Sequence, residues 1–353
     1  MMVDTIDNFI AVSLQISSDA VNACKNREES SILMSNKINK ISTYIKSIDP
    51  FLTSFNGLKP KLYVLPEYFL SSFPMGESID RWKELAAIEM NGPEYDQLCK
   101  IADDSKCFIS GNVYEVDTNF SEIYFQTSFV IGPNGKVILR YRRLISLFAP
   151  SPYDVWDKYI DHYGKEAIFP VVDTEIGRIG CVASEEILYP EISKCLSKKG
   201  MEILCHSTSE VGSPSLTPKE ICRRARAIEN MCYVVSANSA SLQGIKLPPD
   251  GTSGMSKIVD YKGLVIAEAN VGETYNANAI LDIDGLRKAR KRTGMTNILS
   301  RQPYNLYAEF YNEPSSLVPN AMLKGNEVEI PNRDFFVKRQ KQVIEKMLKE
   351  GVI

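Results

Sequence analysis

The feature that most constrains the fold of this chain is a repeated pattern. Short apolar, β-branched runs end in charged or hydroxylated residues, and stretches of helical period separate them. FIAVSLQI near residue 10, LYVLPE (62–67) and CFISGNVYEV (107–116) read as strands. Between the first two, Met34, Ile38, Ile41, Ile45 and Ile48 recur at helical spacing, which predicts a helix over 29–48 that stops before Pro50. A second helix is predicted after Pro93. This alternation requires sheets covered by helices, a layered α/β domain with no repeat or low-complexity linker to divide it.

Further along, SFVIGPNGKVILRYRR (128–143) turns at Pro133-Asn134-Gly135, and FPVVDTEIGRIGCVAS (169–184) turns near Gly177, so each predicts a hairpin. Thr217-Pro218-Lys219-Glu220 carries the pattern of a capping box with proline at the first helical position. The strand CYVVSANSA follows, then the strand pair within SGMSKIVDYKGLVIAEA and the strand ANAILDI. Beyond about residue 314 the character changes, and Phe336, Gln340, Val343, Ile344, Met347 and Leu348 outline an amphipathic helix. The expected organisation is one domain over 1–314 and an extension over 315–353 that serves as a packing or dimer arm.

Several function classes are excluded at this level. A net charge of −3 provides no basic footprint for nucleic acid, and no apolar run approaches the ~20 residues that span a bilayer. The N-terminus lacks a basic segment followed by a long apolar one, so a cytoplasmic location is expected. Eight cysteines without CxxC pairing, and only His162 and His206, point to free thiols rather than a zinc site or disulfides. No metal or cofactor is expected, and the expected partner is a small-molecule substrate or ligand.

Sites in layered α/β folds gather where strands end, and three strand ends carry chemistry here. Glu67 closes an apolar strand in VLPEYF, where desolvation would raise its basicity and suit it to general-base work; a solvated strand end is the alternative. Arg142 and Arg143 close another, and alternation allows only one of them to face inward. A guanidinium there could fix a carboxylate, oxyanion or amide oxygen, although surface charge is the commoner use. Ser184 follows GRIGCVA at a strand-to-helix turn whose amides could stabilise an oxyanion. Cys181, three residues earlier on the same strand, points to the opposite face and reads as core. Cys205 ends another strand, and His206 beside it is either a pocket residue or packed structure. Tyr68 and Glu185, adjacent to these positions, and His206 are candidate substrate contacts.

Taken together and in order, LPEYF (65–69), YRR (141–143) and GRIGCVASEEILYPE (177–191) resemble the three motif blocks of the carbon-nitrogen hydrolase, or nitrilase, superfamily. RARAIENMCYVVSANS (224–239), GTSGMSKIVDYKG (251–263) and the region ending RQPYNLY (301–307) are similar to later family segments, so the resemblance covers roughly residues 8–310. It implies a four-layer αββα sandwich, homodimers or higher oligomers, and a Glu-Lys-Cys site that cleaves C–N bonds through a thioester. Carried onto this sequence, Glu67 matches the general base, Arg143 stands at the lysine position and Ser184 at the cysteine position. Asp154 in PSPYDVW is a candidate for the family's additional acidic residue, with Asp157 as the alternative.

Both departures bear on mechanism. An alcohol is far harder to deprotonate than a thiol of pKa near 8.5, and arginine exchanges a proton much less readily than lysine. The leading expectation is a hydrolase acting on a small amide or related C–N substrate through an altered Glu-Arg-Ser site. The alternatives are a catalytically silent homologue that binds a ligand or regulates a partner, an assembly scaffold, and an engineered cysteine-to-serine trap. Engineering would account for Ser184 but leave Arg143 unexplained.

Overall fold

The computed structural model describes residues 5–212, 217–312, 317–332 and 334–352. The expected domain boundary at 314/315 lies outside the described residues. Two sheets form the centre. The first contains β1 (Phe9–Ser13), β2 (Pro60–Val64), β3 (Phe108–Val116), β4 (Phe125–Ile131), β5 (Val137–Arg142) and β12 (Asn278–Leu281) in the order β12-β1-β2-β3-β4-β5. The second contains β6 (Val172–Thr174), β7 (Gly177–Ala183), β8 (Ile203–Thr208), β9 (Tyr233–Asn238), β10 (Lys257–Val259) and β11 (Val265–Glu268) in the order β11-β10-β9-β8-β7-β6. Within each sheet three neighbouring strands run parallel, β1-β2-β3 and β7-β8-β9, and antiparallel strands flank them.

Period-two alternation sorts the side chains into layers. On β1, Phe9 and Ala11 enter the core between the sheets, where Leu62, Val64, Ile179, Cys181, Ile203 and Cys205 meet them. Ile10 and Val12 point the other way, into a core shared with α1 (Arg27–Asn56) and α2 (Pro93–Ser105). On the outer face of the second sheet lie α3 (Pro190–Lys198) and α4 (Pro218–Asn230), which give the outer layer beyond β7 and β9. The result is the expected αββα sandwich. Each fully buried Ile or Leu contributes roughly 1.5–3 kcal/mol by leaving water, so the apolar strand runs themselves select this stacking.

Two local expectations need correction. The first helix runs through Pro50 to Asn56 instead of stopping before it. Proline removes one backbone donor, but Ile48 and Leu52 on either side are buried and Asp49 accepts from the Tyr63 hydroxyl at 2.8 Å, so packing outweighs that loss. The helix ends instead at Gly57, whose φ of 70° is left-handed and whose N–H donates to Thr53 O. At α4, Thr217 caps as expected by accepting the Glu220 N–H at 3.1 Å. The Glu220 carboxylate does not return to complete a box, because Arg223 and Lys257 hold it at 3.1 and 2.5 Å.

The tail helix α5 (Asp334–Lys349) packs against its own chain: Phe336 is buried in the outer core of the first sheet, and Arg339 pairs with Asp154. No described helix is long and apolar enough to cross a membrane.

Candidate active site

Glu67, Arg143 and Ser184 converge beyond the ends of β2, β5 and β7. Glu67 sits in the turn after β2 rather than on the strand, and it is 0% exposed. Its placement is fixed from the second sheet, since its N–H reaches Thr208 O at 3.3 Å and the Ser207 hydroxyl donates to Leu65 O at 2.8 Å. The expectation of a solvated strand end therefore fails: the opposing sheet closes over it.

β5 ends at Arg142, and alternation sends its two arginines apart. Arg142 pairs with Asp117 at 2.5 Å and lies over the rings of Phe125 and Tyr163. Arg143, 6% exposed, enters the site: Nη1 donates to Gln126 Oε1 at 2.6 Å and to Glu67 Oε1 at 3.2 Å, and Nε donates to Ile145 O at 2.7 Å. Nη2 pairs with Glu185 at 2.6 Å. Neither arginine is a surface charge, because buried carboxylates compensate both. Gln126, on β4, completes the lattice by donating to Glu67 Oε1 at 2.6 Å.

Ser184 follows β7 with φ of 50°, a left-handed conformation that costs a residue with a Cβ about 1–3 kcal/mol and persists where surroundings enforce it. Three contacts enforce it here. The Glu186 carboxylate accepts from Ala183 N–H at 3.1 Å, from Leu144 N–H at 2.8 Å and from the Tyr141 hydroxyl at 2.7 Å. His206 Nε2 lies 2.9 Å from Ser184 O, and its Nδ1 lies 2.9 Å from the Ser236 hydroxyl. Lys219 Nζ, on the first turn of α4, donates to Ser184 Oγ at 3.2 Å. Tyr68, with φ of 35°, is the other left-handed residue at the site.

These groups border a cavity of about 810 Å³ whose wall includes Tyr68, Arg143, Ser184, Glu185 and Lys219. Its mouth is partly formed by Phe336, Arg339 and Val343 of α5. Burial pushes the Glu67 carboxyl up, against the opposing pull of Arg143 and Lys219. Burial likewise disfavours charge on Arg143, but Glu185, Glu67 and Glu186 outweigh it and hold the guanidinium protonated. The Lys219 ammonium is lowered by burial, despite Glu67, Glu210 and Glu185 nearby. His206 is pushed far down by burial and by Arg223, so it is a neutral imidazole.

Glu186 is raised to about 7 by burial, against Arg143 and its hydrogen bonds. A carboxyl whose folded pKa exceeds its unfolded value contributes stability that is complete below about 4.5 and lost as pH rises through about 7. Glu186→Gln would keep an acceptor for Leu144 and Tyr141 but set its NH2 against the Ala183 N–H. Urea denaturation across pH is expected to show a loss of about 1–3 kcal/mol and a flattened pH dependence in that window.

Of the other residues expected at the site, Tyr68 and Glu185 line the cavity. His206 does not; it is fully buried behind the elbow and holds Ser184's carbonyl, so it positions the serine instead of contacting substrate. Asp154 borders the cavity, but its carboxylate is engaged by Ser151 N–H and hydroxyl at 2.8 and 2.7 Å and by Arg339, away from Glu67 and Ser184. Cys181 is core, 3.7 Å from the Ser110 hydroxyl across the two sheets. Among the described residues, no group of three or more His, Cys, Asp or Glu is placed to hold a metal ion.

Sequence reasoning missed Gln126, Glu186 and Lys219 as site residues. The signal for Lys219 was its place: a cation in the first turn of a helix opposes the helix dipole, so it needs another reason to be there.

Comparison with known proteins gives one coherent result. The sequence profile described as carbon-nitrogen hydrolase matches residues 37–291. The nitrilase and fragile histidine triad fusion protein NitFhit of Caenorhabditis elegans is 29% identical over 210 residues, covering 58% of this chain and 46% of that protein. The chain thus spans under half the length of that relative. Among solved structures, Saccharomyces cerevisiae Nit3, a member of branch 10 of the nitrilase superfamily, superposes with a TM-score of 0.60 at 20% identity, covering 82% of this chain and 97% of Nit3. A mutant of the amidase from Nesterenkonia sp. AN1, with the acetamide moiety of fluoroacetamide added covalently at its active-site cysteine, superposes with a TM-score of 0.56 at 14% identity over 87% and 97% of the two chains.

Proposed function

The chain belongs to the carbon-nitrogen hydrolase family, and we propose that it hydrolyses a small amide or related C–N substrate with Ser184 as the attacking group. The observation that carries this reading is the Ser184 hydroxyl, held on a left-handed elbow at the cavity wall within 3.2 Å of Lys219. In the Nesterenkonia amidase a cysteine takes the covalent adduct. Here we place Ser184 in that role, with an acyl ester replacing the thioester. The substrate carbonyl would lie against Ser184, where the fixed charge of Arg143 and the amides following the elbow stabilise its oxyanion.

Glu67 and Arg143 form a preset ion pair behind the reacting centre. Incubation of the full chain with a panel of amides, including acidic ones, tests the reading. Turnover together with an acyl adduct on Ser184 by mass spectrometry is expected; neither appearing would overturn it.

A second reading has one observation in its favour. Arg143 and Gln126 occupy Glu67 Oε1, as expected of a pocket kept for binding. A ligand that raises Tm without being converted, equally in the native chain and in Ser184→Ala, would support that reading.

Residues 315–353 are read as an arm that shapes the mouth. Arg339→Ala breaks the pair with Asp154 and removes the bond to Val318 O. Steady-state kinetics should show KM rising roughly tenfold, equivalent to ~1.4 kcal/mol, with kcat little changed, because α5 touches the cavity and not Ser184. A cytoplasmic homodimer is the setting proposed: all eight cysteines are free thiols. Exposed Leu306, Tyr307, Phe310 and Tyr311 offer an apolar surface for pairing, which light scattering can test.

A further inference from the structure

We propose that Lys219 is the general base and acid for Ser184, so that the two act as a Ser–Lys dyad while Glu67 stays an electrostatic partner. This rests on the reading of Ser184 as the nucleophile. The geometry is direct: Nζ lies 3.2 Å from Oγ, within reach for proton transfer, and both groups line the same cavity.

The surrounding charges leave this lysine free to titrate. Three carboxylates face it from three elements: Glu67 beyond β2, Glu185 on the elbow and Glu210 beyond β8. Each is claimed by an arginine. Arg143 takes Glu67 at 3.2 Å and Glu185 at 2.6 Å, and Arg223 of α4 takes Glu210 at 2.9 Å. An arginine cannot surrender its proton, so these pairs are permanent, and the lysine is left with partly neutralised acids around it. Burial, Arg223 and the positive end of α4 then favour the neutral amine. His206, also close, is neutral and adds no compensating charge.

Arginine at 143 and serine at 184 become parts of one arrangement. The fixed cation holds the carboxylates, while the titrating amine stands beside a nucleophile that needs a stronger base than a thiol does.

The proton balance closes. The Ser184 O–H proton passes to the Lys219 lone pair as Oγ bonds to the carbonyl carbon and the carbonyl π pair moves to oxygen. Collapse breaks the C–N bond, and the Lys219 ammonium gives its proton to the leaving amine. Water then loses a proton to Lys219 while attacking the ester, and Oγ leaves and recovers that proton. Amide and water become acid and amine.

Diisopropyl fluorophosphate, which phosphorylates an activated serine with loss of fluoride, tests this on the full chain without knowledge of the substrate. Peptide mapping is expected to locate the label on Ser184, with a rate that rises with pH to a plateau as Lys219 loses its proton. Lys219→Gln should slow labelling at least about 100-fold, with partial rescue by added methylamine. Lys219→Arg keeps the charge and the helix start, and should be equally slow because guanidinium stays protonated. Thermal melts confirm that both variants are folded. If either variant labels at the native rate with the native pH profile, Lys219 is not the base and Ser184 stands as nucleophile with another partner. If the native chain takes no label on Ser184, the nucleophile reading falls, and the dyad with it.

Discussion

Ser184→Ala is expected to reduce kcat/KM by at least roughly 10⁴-fold on any amide that the native chain turns over, because it removes the atom that forms the acyl bond. The substitution is small in structural terms. Alanine tolerates φ of 50° no better and no worse than serine, and the only bond lost is the 3.2 Å contact from Lys219. Stability should therefore change by about 1 kcal/mol or less. Intact-mass measurement separates the outcomes: the native chain accumulates an acyl adduct with slow substrates, and the variant shows none. Turnover by Ser184→Ala at the native rate would remove serine from the mechanism and leave an activated water as the attacking group.

Arg143→Leu is expected to produce the second large effect, on both stability and rate. The guanidinium is the shared partner of Glu67, Gln126, Glu185 and Ile145 O. Its loss strands a fully buried carboxylate, which costs about 3–5 kcal/mol where one partner of a buried pair is removed. The sign with pH follows from Glu67. Burial already raises its pKa, and Arg143 is the largest influence lowering it, so the variant raises it further.

A carboxyl with a raised folded pKa destabilises as pH climbs and it is forced to ionise. Urea denaturation should therefore find Arg143→Leu weakest at neutral and alkaline pH and partly recovered in mild acid. Loss of the oxyanion-stabilising charge should lower kcat by roughly 10²–10³-fold. Arg143→Lys restores charge but has a single point donor where the guanidinium spans four acceptors, so it should fall between the two. Equal stability of Arg143→Leu and the native chain at neutral pH would show that the Glu67 carboxylate is held by something else.

Much of the fold was legible because it depends on local pattern. The alternation on β1, with Phe9 and Ala11 on one face and Ile10 and Val12 on the other, is written in the order of the residues and needs only a sheet with two apolar sides. The same parity argument separated Arg142 from Arg143 and put Cys181 in the core. Local pattern failed where distant packing decided: α1 crosses Pro50 because the side chains around it are buried, and Glu220 leaves its cap for Arg223 and Lys257.

Site residues were legible when they ended a recognisable strand. Glu67, Arg143 and Ser184 each do so, whereas Gln126 is one polar residue inside a strand and Lys219 looked like part of a helix cap. Asp154 was placed beside the site by its motif, but its carboxylate is turned to Ser151 and Arg339, a pairing that depends on a helix 185 residues away in the chain.

By itself, then, the sequence determined the layered sandwich, the family and the three strand ends that meet, since hydrophobic period and motif order are properties of neighbouring residues. Only the tertiary structure decided what those ends do to one another. It put Arg143 between Glu67 and Glu185, turned His206 from a pocket candidate into a support for the Ser184 carbonyl, and brought Lys219 from another helix to the serine hydroxyl. Burial and charge act through space, so the protonation states on which the chemistry turns follow from which elements pack together and not from which residues adjoin.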